Sequence, residues 1–306
     1  MAEYAKQVMD AVWPYHFEPL MTMYLTDTLD RDDVADCLKR RAIAGVKYYP
    51  RGLTTNSDSG VKDPASLWTD GTEPCLVLRT LAEHGGVLLI HAADGVDKNG
   101  DIVDPDDQEK HFIRETLPRI IDAHPNLKIS VEHLSTKEGA AFMYDNGNER
   151  LGCTITAQHL LLDRRDTMKG GLQTHMFWWP IIQHKEDREA LQALATSGKT
   201  FVYLGSDSAP HPKNKKEAAC CIGGVLMAHA GIEFYAEAFD KLGSLDKLED
   251  FASINGPRFY GRQPSGNSIE LTRNPWIIRE WFYAGADEEP IRPFRLGGTV
   301  DWKLTL

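Results

Sequence analysis

The run GVKYYP at residues 45–50 carries Lys47 in an otherwise apolar stretch, and three later runs share its form: LLIHA (88–92) ends at His91, ISVEHLS (129–135) passes His133, and VYLGSDSAPH (202–211) passes Asp207. Short apolar runs bounded by turn residues read as buried strands. At the carboxyl ends of parallel barrel strands side chains converge on one mouth, so four unlike residues able to ligate a metal in such places predict a single metal centre. The expected fold is therefore α/β, a TIM-type (β/α)8 barrel of the metal-dependent hydrolase kind.

Working outward, helical spacing over 4–12 (Tyr4, Ala5, Val8, Met9, Val12) predicts a helix that Pro14 ends. Thr28 or Asp30 can cap the next, which closes before Gly45. Further helices are expected near 72–84, 107–123, from Thr136, 186–197, 228–241 and 246–254, between strands at 17–25, 45–50, 86–92, 127–134, 152–157 and 201–207. That makes six strands where a closed barrel needs eight, so the first two βα units are expected to be missing. Residues 1–262 are read as the incomplete barrel and 263–306, with SIELTR, WIIREWF and VDWKLTL, as an extended arm packed on it. The Gly-, Ser- and Thr-rich stretch 51–63 suits a loop that closes over a site, or a plain solvated connection.

The chain has 306 residues, 42% of them hydrophobic, enough for a sizeable core, and a formal net charge of −11. The negative balance and scattered basic residues argue against nucleic acid as a partner, and Lys213, Lys215 and Lys216 read as a solvated turn. No apolar stretch approaches membrane-spanning length and the opening residues lack a secretory pattern, so no membrane partner and a cytoplasmic location are expected. Five cysteines without zinc-ribbon spacing suggest reduced thiols.

Two histidines on neighbouring strands are the stronger signal, because neutral imidazole is the commonest nitrogen ligand of zinc. A buried Lys47 would have a depressed pKa and, as a neutral amine, could take up carbon dioxide to give a bridging carbamate; a lysine snorkelling from the strand end is the simpler alternative. Asp207 could bind a metal and exchange a proton with metal-bound water, or merely cap a turn.

These residues belong to an ordered series: PLMTMYLTDTLD, GVKYYPRGLTTNSDSGV, LLIHA, VEHLSTKEGA, NERLGCTITAQHLLLDR, YLGSDSAPHPKNKKE and SINGPRFYG, spanning nearly the whole chain. The series resembles dihydroorotases of the single-function bacterial and fungal type, in the amidohydrolase superfamily. That resemblance implies a two-zinc enzyme that reversibly cyclises N-carbamoyl-L-aspartate to dihydroorotate in pyrimidine biosynthesis, as a possible homodimer. By motif, Lys47 resembles the carbamylated bridging lysine, His91 and His133 resemble ligands of one zinc, and Asp207 resembles the acid/base that also binds metal. Thr54 and Thr55 match the tip of the closing loop. His91, His211, Trp179 and Gly223 match substrate contacts, the last two through backbone groups.

The chain departs from the pattern in lacking the family's His-x-His-then-arginine strand end and the substrate-binding asparagine after the second strand, and in carrying Trp179 where the family has a smaller apolar residue. The family's first strand ends in His-x-His, and no such motif occurs in these 306 residues. The expectation is fewer zinc ions than two and doubtful catalysis by this chain alone, with a shortened, non-catalytic homologue that binds a ligand or partner as the alternative. His16, His159 and His175 lack the strand-end context to replace the missing pair.

Overall fold

A computed structural model describes residues 2–15, 17–284 and 289–305. The chain divides into two compact units, Met1–Val103 with His111–Val131, and Asp104–Lys110 with Glu132–Leu306.

The first unit carries four parallel strands in chain order: β1 (Thr22–Tyr24), β2 (Gly45–Tyr48), β3 (Val87–Ile90) and β4 (Lys128–Val131). Register is continuous, Tyr24 opposite Lys47, Lys47 opposite Leu89, and Leu88 opposite Ile129. Every residue of β3 is buried, as expected for a strand covered on both faces. Gly45 is required by contact rather than flexibility, because a Cβ there would collide with the carbonyl oxygen of Val87.

Helices follow the expected signals. Asp30, not Thr28, caps Arg31–Lys39 by accepting from the Asp32 amide, and Thr72 caps Glu73–His84, which ends on Gly85 in the left-handed conformation (φ 70°). The helix Ala2–Val12 forms as its periodicity predicts but buries no residue. The helix expected over 107–123 is interrupted by one π-helical turn, Phe112–Thr116.

In the second unit β5 (Leu151–Ile155) pairs in parallel with β6 (Val202–Leu204). The strand expected to run to 157 stops at Ile155, because the Thr156 side chain accepts from the His159 amide and starts the helix Ala157–Leu161. The helices Lys137–Asn146, capped by Thr136, Lys185–Ala195 and Gly231–Lys241 flank the strands. Phe234, Tyr235, Phe239 and Phe251 are buried and make much of this unit's core. Six parallel strands are thus present among the described residues.

After residue 262 come the short antiparallel pairs β7 (Glu270–Thr272) with β12 (Lys303–Thr305), β8 (Trp276–Ile277) with β11 (Thr299–Val300), and β9 (Phe282–Ala284) with β10 (Glu289–Ile291). Charge anchors this extended segment: Arg295 reaches both oxygens of Glu237 at 2.8 Å, and Arg273 both oxygens of Asp240 at 2.6 Å. Glu237 is 3% exposed, so that pair is better sheltered from solvent than the Arg273–Asp240 pair. No helix among the described residues is long and apolar enough to cross a membrane.

Candidate functional site

In the first unit Lys47 is half-buried between the buried Val46 and Tyr48. Its Nζ lies 4.9 Å from the centroid of the Tyr49 ring. His91, immediately after β3 and 2% exposed, sits on the same ring at 5.9 Å, and its amide donates to the Tyr48 carbonyl (3.1 Å). Burial first, and the Lys47 charge second, push the His91 pKa down to about 3. The ring is therefore neutral at ordinary pH, the form in which imidazole has a lone pair to offer a metal. The structure thus brings Lys47 and His91 together around Tyr49.

Thr54 and Thr55 are half-exposed on a stretch that is tightly bonded to itself. The Ser57 hydroxyl donates to the Thr54 carbonyl (2.6 Å) and accepts from the Thr54 amide (3.1 Å). Arg51 donates to the Gly60 carbonyl (3.1 Å) and pairs with Asp27 (3.0 Å), closing the base of the loop. Beyond His91, the buried Asp94 accepts from Thr116 (2.8 Å) and bonds His111 Nδ1 (2.8 Å), which pins the segment after β3.

In the second unit His133 is 5% exposed, and its amide donates to the Thr154 hydroxyl (2.7 Å). The turn after it is held by Glu109, 4% exposed, which accepts from the amide and hydroxyl of both Ser135 and Thr136 (2.5–2.9 Å). Burial raises the Glu109 pKa even though those bonds oppose the shift. Asp207 is exposed, three residues beyond the end of β6, rather than on the strand as its apolar approach suggested. His133 and Asp207 both have positive φ, uncommon for residues with a Cβ.

The segment after Asp207 is stitched to residues 222–228. The Ser208 hydroxyl accepts from the Met227 and Ala228 amides (3.0 and 3.1 Å), and the Ala209 amide donates to Val225 (2.9 Å). His211 is bonded to the backbone of Gly223, while burial, then the nearby Lys216 charge, lower its pKa. Trp179 is half-buried, its ring edge-on to Phe177 at 5.5 Å. The structure therefore brings His211 and Gly223 together.

Lys216 corrects one expectation. Lys213 and Lys215 are exposed as predicted for a solvated turn, whereas Lys216 is 2% exposed. Its ammonium donates to the carbonyls of Phe177 (2.7 Å), Ile222 (2.9 Å) and Gly224 (2.9 Å), and burial pulls its pKa down to about 8. Nothing in the run KNKK distinguishes it from its neighbours; the turn beginning after Pro212 decides which lysine points inward.

Among the other histidines, His159 is buried between the Thr156 hydroxyl (2.7 Å) and the Pro180 carbonyl (3.2 Å), a structural setting, and His175 bonds Glu217 (3.0 Å). His16 lies outside the described residues. Among the described residues no group of three or more His, Cys, Asp or Glu side chains is gathered as a metal site. Lys47, outside that set of residue types, would offer a metal an anionic oxygen only as a carbamate. The donor chemistry nonetheless fits zinc, on the strength of the neutral, buried His91 beside the Lys47 amine.

No family model matches the chain. It is 41% identical over 294 residues to the dihydroorotase of Hahella chejuensis, covering 95% of this chain and 80% of that protein. The crystal structure of Saccharomyces cerevisiae dihydroorotase in complex with 5-fluoroorotic acid superposes with a TM-score of 0.89 at 28% identity, covering 99% of this chain and 84% of that one. The L-hydantoinase of Arthrobacter aurescens superposes with a TM-score of 0.67 at 15% identity, over 92% of this chain and 66% of that one, a likeness of fold alone. The fold is that of the amidohydrolase (β/α) barrel, with six of its parallel strands among the described residues.

Proposed function

This chain belongs to the dihydroorotase family of cyclic amide hydrolases, and from that premise we propose that it interconverts N-carbamoyl-L-aspartate and (S)-dihydroorotate in pyrimidine biosynthesis. The observation that carries this reading is the 41% identity sustained over 95% of the chain.

Lys47 as its carbamate, His91, His133 and Asp207 are the residues that would hold zinc. Bound zinc would polarise the ring amide carbonyl as a Lewis acid. Each residue has its own part. His91, held neutral by burial, offers nitrogen without first losing a proton. Asp207, an exposed carboxylate, can take a proton from the water that adds to the ring carbonyl and deliver it to the departing ring nitrogen; in ring closure it takes the proton from the attacking nitrogen and returns it to the departing water. His211 would contact the substrate carboxylate. The backbone at Trp179 and Gly223 would hold the ring, and Thr54 and Thr55 would close over it. A cytoplasmic enzyme that pairs with a second copy of itself completes the reading.

The test is an assay of the purified chain, supplied with zinc and bicarbonate, in both directions: loss of dihydroorotate at alkaline pH and its formation from N-carbamoyl-L-aspartate at acid pH. Turnover that disappears on chelation and returns with zinc is expected. Tight binding of dihydroorotate with no turnover in either direction would establish the non-catalytic alternative.

A further inference from the structure

Lys216 uses all three of its ammonium protons on carbonyls from two separate segments, Phe177 on one side and Ile222 and Gly224 on the other. The Phe177 carbonyl accepts a second bond, from the Gly224 amide (3.0 Å). Gly224 has φ +141°, and a Cβ there would press on the Ala209 carbonyl and on His211 Nε2 (2.9 Å). Residues 177 and 222–224 thus meet at one buried charge, and segment 209–211 packs against Gly224 beside it.

A buried ammonium is a costly way to join two stretches of backbone. No carboxylate is among its hydrogen-bond partners, and an apolar residue could fill the same volume without the desolvation penalty. What the ammonium supplies and an apolar side chain does not is direction: three carbonyls are turned toward one point, which fixes the peptide planes beside them. The Ile222 carbonyl shares its peptide plane with the Gly223 amide, and the Phe177 carbonyl lies one peptide plane before the Trp179 amide; Trp179 and Gly223 are the two residues whose backbone would hold the substrate ring.

We propose that Lys216 is a positioning residue for the substrate ring, orienting the backbone at Trp179 and Gly223 by gathering the Phe177, Ile222 and Gly224 carbonyls onto its ammonium. The inference rests on the dihydroorotase reading and extends it to a residue that itself touches no ligand. The ureide edge of dihydroorotate is planar and binds through in-plane hydrogen bonds, so loosening those peptides weakens its binding while leaving the metal-ligating residues alone.

Calorimetric titration of the zinc-supplemented chain with dihydroorotate, a readout independent of turnover, tests this. Lys216→Met, which keeps the length and removes the donors, is expected to weaken binding about tenfold or more, with Lys216→Gln between it and the native chain. Zinc content, measured by elemental analysis, stays unchanged. If the Met variant does not fold, Lys216→Gln and Lys216→Arg carry the comparison, Arg retaining charge and donors and binding more tightly than Gln. A folded Met or Gln variant that binds within about twofold of the native chain overturns the proposal, even if its melting temperature falls, because the clamp is then only structural. Failure of the native chain to bind dihydroorotate overturns the functional reading instead, and the clamp's assigned role with it.

Discussion

His133 and Asp207 adopt the same left-handed backbone conformation, each with φ +44°. That conformation costs roughly 1–2 kcal/mol for a residue with a Cβ, and such strain collects where side-chain direction is constrained by function. In His133 the amide is held by Thr154, and beyond Asp207 the backbone is held by Ser208 and Ala209, so the surroundings maintain both conformations.

Asparagine tolerates left-handed backbone about as well as aspartate does, so Asp207→Asn should leave the thermal unfolding midpoint within a few degrees while removing the proton-transfer group. Turnover is expected to fall by about 10²-fold or more. Comparable activity in a steady-state assay would remove Asp207 as the acid/base.

If Lys47 holds zinc as the proposed carbamate, Lys47→Ala should lower bound zinc, read by elemental analysis after gel filtration. Added short-chain carboxylic acid should restore part of the activity by occupying the vacated space. In the zinc- and bicarbonate-free chain, where Lys47 is an ammonium, the same substitution removes the charge that helps depress His91, whose pKa should then rise, as NMR titration of the ring can follow.

Glu109→Ala removes the common acceptor of four donors on Ser135 and Thr136, all in buried residues. A loss on the order of 3 kcal/mol in denaturant unfolding is expected, and Glu109→Gln should recover part of it. Equal stability of Ala and native forms would mean that water replaces the carboxylate.

Asp163 has its pKa lowered to about 2, first by the hydrogen bond from Arg165 and further by the Arg188 charge, against the opposing effect of burial. A carboxyl depressed on folding stabilises the protein above the unfolded value near 3.9, and that contribution is lost as pH falls toward 2. Melting temperature measured from pH 5 to pH 2 should therefore drop less steeply in Asp163→Asn than in the native chain.

Much of the architecture was legible because its signals are local. Apolar runs bounded by turns gave the six parallel strands, and Asp30, Thr72 and Thr136 marked helix starts with side chains that do accept from the following amides. TAQHLLL was not legible as a helix, since a short apolar run has no decisive period and only the Thr156 cap settles it. Lys47 and His91 were legible as two of four separate strand-end candidates, but their common contact, the Tyr49 ring, depends on register between β2 and β3. Lys216 and Glu109 were missed because a buried ion looks like a surface ion in sequence. Only the tertiary path of 177 and 222–224, or of 135–136, reveals their partners.

Tyr49 has a second attachment. Its carbonyl accepts from the Val61 amide (3.1 Å), and Gly60 lies so close to that carbonyl that no Cβ fits between them. The peptide that secures one root of the 51–63 loop thus belongs to the residue whose ring supports Lys47 and His91. Displacement of that root is transmitted through a single residue to the amine and the imidazole. A lesion as remote as Gly60→Ala would register in their chemistry before it touched either of them.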